Sequence, residues 1–265
     1  MKLANKIAIV TGTSPNIGGG IAGGLADEGA TVVCVDLAAD NALQCAGWIT
    51  KRGGQALGIP CDTTDEAQVQ TMMARVREVY GGVDVLVNNA GILGGESVIE
   101  MSLERWNRQL DVNLTGTFLC TKHVARQMVE QKRGGSIIVI ASTAAHQGQA
   151  GNIGYCTSKG GLLNFTRAAA MDLVPHKIRV NSLTPTATDV AEAGERAVEW
   201  GRGRPERGGR LLDFAKMIPT GQLPSPRHYA KAVVFLASDD AEMITGFDLR
   251  VDAGAIAKYW PWIPS

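Results

Sequence analysis

The chain has no run of 18 or more apolar residues, so no segment of it is long enough to span a bilayer as a helix. It also has no net charge: 26 Lys and Arg face 26 Asp and Glu in 265 residues. A neutral surface has no field to gather nucleic acid or an anionic membrane, so neither is an expected partner. The one basic cluster, Arg202, Arg204, Arg207 and Arg210, is interleaved with Glu192, Glu195, Glu199 and Glu206 and reads as a solvated surface segment. Cysteine is sparse and odd in number, at 34, 45, 61, 120 and 156, and no pair has metal-ligand spacing. The four histidines, at 123, 146, 176 and 228, are no better placed, so no metal site is expected. Met1–Lys6 lacks the apolar stretch of a signal peptide, and the thiols suit a reducing compartment; the expectation is a cytoplasmic protein. With 45% apolar and 20% charged residues and no repeat or linker, residues 1–265 are expected to form one domain.

What the chain does have is alternation. Strand-length apolar runs occur at Lys6–Thr11, Thr31–Asp36, Gln55–Cys61, Val83–Asn88, Ser136–Ser142, Arg179–Thr184 and Phe247–Asp252. They are apolar throughout, as in strands buried on both faces of a parallel sheet. Segments of helical period lie between them: Ile17–Glu28, Glu66–Tyr80, Leu103–Gln131, Tyr155–Leu173 and Pro226–Ser238. Leu103–Gln131 is long enough for two helices or one bent one. The pattern predicts an α/β fold, a doubly wound, Rossmann-like, mainly parallel seven-stranded sheet with helices on both faces.

The first strand runs into Thr11-Gly12-Thr13-Ser14-Pro15-Asn16-Ile17-Gly18, which opens the first helix. Glycines there let the backbone turn sharply beside a pyrophosphate, and the helix N-terminus offers it N–H groups. Asp36 ends the second strand. A carboxylate at that place accepts from adenosine ribose hydroxyls and repels a 2′-phosphate; no Lys or Arg follows in Leu37-Ala38-Ala39-Asp40, so NAD is expected over NADP.

Together with Asn88-Asn89-Ala90-Gly91, Asn113, Ser142 and Tyr155-Cys-Thr-Ser-Lys159, this loop resembles the short-chain dehydrogenase/reductases of about 250 residues, over nearly the whole chain to Asp252-Ala253-Gly254. The resemblance implies adenine contacts at Asp62 and Thr63, a loop along the cofactor at Asn89, Ala90 and Gly91, and a nicotinamide contact at Pro185 and Thr186. It also implies a homotetramer in which Leu103–Gln131 and Tyr155–Leu173 pair across a two-fold axis. Two departures stand out. Asn16 replaces the middle glycine of the first loop; Asn tolerates positive φ, and its side chain is placed to bond phosphate or a neighbouring backbone group. Thr186 replaces a glycine, with Val190 where the family often has Thr and Thr188 the candidate to supply that hydroxyl.

Reducing a ketone requires a proton donor within reach of its oxygen. Tyrosine titrates near ~10, and an ammonium beside it stabilises the phenolate. Tyr155 and Lys159 are i and i+4 on one predicted helix, so Lys159 is expected to lower the tyrosine pKa while reaching the nicotinamide ribose. Ser142 would hold the substrate oxygen. Asn113 matches the family residue that anchors a water and links Lys159 to solvent. Taken singly, each of these residues is ordinary; as a set after a nucleotide loop they read as catalytic. His146 is expected to line the pocket or be exposed rather than act as a base, and Cys156 to pack away from Tyr155.

The substrate pocket should form at the strand carboxyl ends. Leu93, Gly94, Ala144, His146, Gln149, Asn152 and Trp200 are the candidates, with 186–223 as a lid whose apolar face carries Trp200, Leu211, Leu212, Phe214 and Met217. The aromatic tail 258–265 is expected to pack on a neighbouring subunit or cover a pocket mouth. The function expected is NAD-dependent interconversion of a secondary alcohol and a ketone, acting on a CH–OH group of a small molecule. A reductase of 3-oxoacyl thioesters on carrier protein or CoA is the near alternative. A nicotinamide-sensing regulator without turnover is opposed by the retained Tyr–Lys pair, and a nucleotide-sugar epimerase or dehydratase by the chain's length.

Overall fold

The computed structural model describes residues 1–203 and 214–258. Seven strands form one all-parallel sheet: β1 (Ile7–Thr11), β2 (Thr31–Asp36), β3 (Gln55–Pro60), β4 (Val85–Asn88), β5 (Gly135–Ile140), β6 (Ile178–Pro185) and β7 (Asp248–Val251). Their order is β3-β2-β1-β4-β5-β6-β7, so the direction of winding reverses between β1 and β4. The helices are α1 (Ile17–Asp27), α2 (Ala39–Lys51), α3 (Glu66–Tyr80), α4 (Leu103–Leu110), α5 (Gly116–Gln131), α6 (Ile153–Leu173), α7 (Ala191–Glu199) and α8 (Pro226–Ala237).

Alternate side chains of each strand feed two separate cores. Ala8, Val10, Val32 and Val87 meet Ile21, Leu25, Ile49 and Tyr229 of α1, α2 and α8 on one face. Ile9, Val33, Leu86 and Ile137 meet Val69, Met72, Leu119, Val124 and Ala170 of α3, α5 and α6 on the other. This two-sided burial is why the strands read as continuous apolar runs.

Local chemistry sets the boundaries. The Asp65 carboxylate accepts from the Ala67 and Gln68 N–H groups at the start of α3, and Gly81, at φ +74, ends it. The Ser102 hydroxyl accepts from Arg105 N–H and opens α4. α4 and α5 are one bent run, joined by a π-turn over Asp111–Thr115 that widens the helix around Asn113. The sequence reading passed over α2, although Ala42, Cys45, Ala46 and Ile49 bury its inner face at helical spacing.

Asn181 of β6, fully buried, donates from Nδ2 to the Ile244 carbonyl at 2.8 Å and accepts from Phe247 N–H at 3.0 Å, fixing the entry into β7. Asn181→Ala leaves both backbone groups without this partner. We expect a loss of about 3 kcal/mol in unfolding free energy, read as a lower urea midpoint at unchanged slope.

Candidate active site

A cleft of about 430 Å³ opens at the carboxyl ends of the strands, where the winding reverses. It is lined by Gly12, Ser14, Asn16, Ile17, Asp36, Leu37, Asp62, Thr63, Asn89, Ala90 and Gly91, all expected from the sequence for a nucleotide, and by Gly18. Its floor is a close backbone approach. A Cβ on Gly12 would lie 2.7 Å from Ala90 Cα, and one on Gly18 would lie 1.9 Å from the Gly12 carbonyl oxygen. The Thr11 hydroxyl accepts from the N–H groups of Asn89 and Ala90, each at 3.1 Å, and Asn89 Nδ2 donates to the Gly12 carbonyl at 2.8 Å. Gly12 N–H donates to the Val35 carbonyl at 2.7 Å. The loop after β1 is thus tied to β2 and to the loop after β4.

Helix α1 starts at Ile17 with no side chain capping it, and Asn16 Oδ1 is buried without a partner. Uncapped N–H groups and an orphaned polar atom in a glycine cradle fit the diphosphate of a dinucleotide. One expectation is corrected here: Asn16 sits at φ −81, while Gly12, at φ +73, carries the left-handed turn. Asparagine's tolerance of positive φ is therefore not what lets it replace glycine. Farther along, Asp36 Oδ1 accepts from Ala38 N–H at 3.0 Å and Asn41 Nδ2 at 3.1 Å. Asp62 Oδ1 accepts from the N–H and hydroxyl of Thr64. The sequence reading missed Asn41, Cys61, Ile92, Arg108 and Val112, which also line the cleft. No local pattern announces that α2 and α4 cross its rim.

Beyond Gly91 lie the groups expected to do chemistry. Ser142 follows β5 in extended backbone, and its Oγ accepts from Ala144 N–H at 3.1 Å. Tyr155 and Lys159 stand one turn apart on α6, and Ser142 is the neighbour that favours the Tyr155 phenolate. Lys159 is buried; its Nζ donates to the Ile140 carbonyl at 2.7 Å and lies 5.8 Å from the centre of the Tyr155 ring. Burial pulls the Lys159 pKa down to about 8. Burial pushes Tyr155 above its ordinary value, and the Ser142 hydrogen bond opposes that rise. Ser142 thus favours the phenolate, while Lys159, cationic at neutral pH, turns its ammonium to the Ile140 carbonyl.

Asn113, fully buried in the π-turn, accepts from Ile92 N–H at 2.7 Å and donates to the Ile92 carbonyl at 3.0 Å and to Ser158 Oγ at 2.9 Å. Its side chain holds the loop after β4 to α6.

The remaining candidates scatter. Leu93 and Gln149 are exposed, and Ala144 is buried in the turn below Ser142. Asn152 precedes α6, pairs with Glu96, and has a buried Oδ1 without a partner. His146 Nε2 bonds the Thr184 hydroxyl at 3.2 Å and the Asp248 carboxylate at 3.1 Å, so it ties the turn to β6 and β7. Pro185 ends β6. The Thr188 hydroxyl donates to the Thr186 carbonyl at 3.1 Å and meets Tyr229 at 3.2 Å; Thr186 Oγ1 is buried without a partner. Cys156 Sγ contacts the Gln149 carbonyl, away from the chemistry.

Trp200 is corrected outright. It belongs to the core between the sheet and α1, 6.5 Å from Trp48, and lines no substrate pocket. Of the expected lid, 204–213, which includes Leu211 and Leu212, lies outside the described residues, and Phe214 and Met217 are exposed rather than turned inward. The tail 259–265 also lies outside them; Lys258 donates to the Met217 carbonyl.

Comparison with known proteins agrees with this architecture. Residues 12–255 match a family model described as enoyl-(acyl carrier protein) reductase. D-threitol dehydrogenase of Mycolicibacterium smegmatis is 37% identical, covering 97% of this chain and 95% of its own. Galactitol 2-dehydrogenase of Agrobacterium fabrum is 36% identical over 96% and 98%. The crystal structure of a short-chain type dehydrogenase/reductase from Mycobacterium marinum superposes with a TM-score of 0.86 at 33% identity, over 97% of each chain. The fold is that of an oxidoreductase family built on a seven-stranded parallel sheet. The chain belongs to the short-chain dehydrogenase/reductase family.

A lysine held near 8 instead of 10.5 costs roughly 3 kcal/mol while it is protonated. The unfolded chain binds the extra proton between those values, so stability contributed by this group rises with pH from about 8 to 10.5. Lys159→Met should leave stability at pH 7 unchanged or higher and should remove that rise, as read by urea titrations at pH 7 and 10.

Proposed function

We propose that the protein is an NAD-dependent oxidoreductase that interconverts a secondary alcohol and a ketone, with Tyr155 as the general acid/base. The carrying observation is buried Lys159, its Nζ 5.8 Å from the centre of the Tyr155 ring, 2.7 Å from the carbonyl of the strand that leads to Ser142, and beside Gly91 of the glycine-floored cleft. Gly12, Ser14, Asn16 and Ile17 would hold the diphosphate, Asp36 and Leu37 the adenosine ribose, Asp62 and Thr63 the adenine. Asn89, Ala90, Gly91, Pro185, Thr186 and Thr188 would run toward the nicotinamide, which supplies the hydride acceptor or donor.

The two hydroxyls, Ser142 and Tyr155, converge on one oxygen. In oxidation Tyr155 Oη takes the proton from the substrate hydroxyl while Ser142 holds the oxygen; in reduction the tyrosine gives the proton back. Lys159 reaches the ribose and keeps positive charge beside the phenolate as it forms. Asn113 is a positioning residue for the Gly91–Ile92 backbone and Ser158. The names of two relatives, both polyol dehydrogenases, favour a small polyol as substrate. So does Asn152 Oδ1, a buried acceptor just before α6 and three residues from Tyr155, suited to a second hydroxyl. A 3-oxoacyl thioester reductase is the second reading, favoured by the description of the matching family model.

Two copies are expected to pair across α5 and α6, where Phe118, Val129, Phe165 and Leu173 line an apolar groove, as part of a homotetramer. No helix among the described residues is long and apolar enough to cross a membrane. The five cysteines are free, which suits a cytoplasmic setting.

The test is reduction of NAD or NADP, followed by absorbance, with secondary alcohols and polyols, against oxidation of the reduced cofactors by a 3-oxoacyl thioester. Tyr155→Phe should abolish turnover. Ser142→Ala removes the bond that lowers the tyrosine pKa, so the acidic limb of kcat/KM for oxidation should move to higher pH; an unmoved limb contradicts the assignment. Asp36→Ala should narrow a preference for NAD by about tenfold or more, since the 2′-phosphate no longer meets a carboxylate. A wild-type preference for NADP overturns the role given to Asp36.

A further inference from the structure

Helix α7 follows β6 at the place where a lid over the substrate was expected, but its contacts run to the nucleotide loop. Arg196, 8% exposed, donates from Nη1 to the carbonyl of Pro15 and to that of Asn16 at 3.4 Å. Its guanidinium lies 5.1 Å from the centre of the Trp48 ring, which Arg52 also approaches, at 4.7 Å. Trp48 Nε1 donates to Glu199 at the end of α7. Gly19 makes room for this packing: a Cβ there would lie 3.3 Å from the Arg196 stem and 3.4 Å from Trp200. Just past the helix, Arg202 donates to Asn41 Oδ1 at 2.7 Å and Gln44 Oε1 at 2.9 Å, and Asn41 Nδ2 donates to Asp36 Oδ1 at 3.1 Å.

The consequence follows from the peptide plane. In a trans peptide the C=O and the following N–H point in opposite directions. A guanidinium that draws the Pro15 and Asn16 carbonyls outward turns the N–H groups of Asn16 and Ile17 toward the cleft, which both residues line. Those are the donors a diphosphate needs at the start of α1. In a loop whose middle glycine is replaced by Asn16, an external hold on that carbonyl sets the orientation.

We propose that α7 is a clamp on the outer side of the dinucleotide cleft, with Arg196 a positioning residue for the diphosphate-binding N–H groups of Asn16 and Ile17, and Arg202 a positioning residue for Asp36 through Asn41. The inference rests on reading the cleft as the nicotinamide dinucleotide site. It makes the segment after β6 a determinant of cofactor affinity and of the choice between NAD and NADP.

The test compares wild type, Arg196→Met, Arg196→Lys and Arg202→Gln by calorimetric titration with NADH, NADPH and ADP-ribose, with thermal midpoints and with kcat and cofactor KM. Arg196→Met keeps an apolar stem beside Gly19 and removes the donors. Its Kd for NADH and for ADP-ribose should rise about tenfold, while kcat at saturating cofactor stays within about twofold. Arg196→Lys, which keeps a cationic donor, should recover most of that loss. Arg202→Gln should narrow the gap between NADH and NADPH about threefold and carries the test if Arg196→Met does not fold. Unchanged Kd values in a folded Arg196→Met, or no change in selectivity in Arg202→Gln, overturn the clamp. Failure of the wild type to bind any of the three ligands overturns the cofactor reading itself.

Discussion

Lys159 Nζ sits against the Ile140 carbonyl at 2.7 Å, inside the protein, with its pKa drawn down to about 8. A buried ammonium is unfavourable unless a neighbouring group holds it, and here the Ile140 carbonyl does so. Ile140 ends β5, the strand that also delivers Ser142. The π-turn between α4 and α5 brings Asn113 to Ser158, the residue before the lysine on α6. One turn earlier on α6, Tyr155 meets Ser142. Keeping this lysine dry therefore requires the same strand end and helix start that place the two hydroxyls together.

The nucleotide end obeys a second constraint, the close approach of two loops at the reversal of winding. Gly12 and Gly18 leave no space for a side chain, and the Thr11 hydroxyl and Asn89 amide stitch the loops after β1 and β4. What the glycines permit, other groups must direct. The Val35 carbonyl holds Gly12 from the side of β2, and Arg196 holds Pro15 and Asn16 from α7. The loop between β1 and α1 is set from outside by its neighbours as much as by its own glycines.

The seven strands were legible because burial on both faces leaves a continuous apolar run, and all eleven cleft residues expected for a nucleotide stand within six residues of a strand end. Ser142, Tyr155 and Lys159 were legible as a set. The misses share a cause, which is that tertiary contact decided them. Trp200 reads as a lid residue until α7 is seen packed on α1. The φ of Asn16 depends on Gly12 carrying the turn, and the acidity of Tyr155 on its own burial beside Ser142. Arg196 stood in a run of mixed charge that gives no local sign of a partner about 180 residues earlier in the chain.

The central claim is that Tyr155 and a nicotinamide act together on one carbinol. The direct measurement uses polyols deuterated at their secondary carbinol carbons, incubated with NAD, with the reduced cofactor analysed by mass spectrometry. The account predicts one deuteron per reduced nicotinamide from wild type and no reduced cofactor from Tyr155→Phe. Reduced cofactor without deuterium, or equal transfer by Tyr155→Phe, would contradict it.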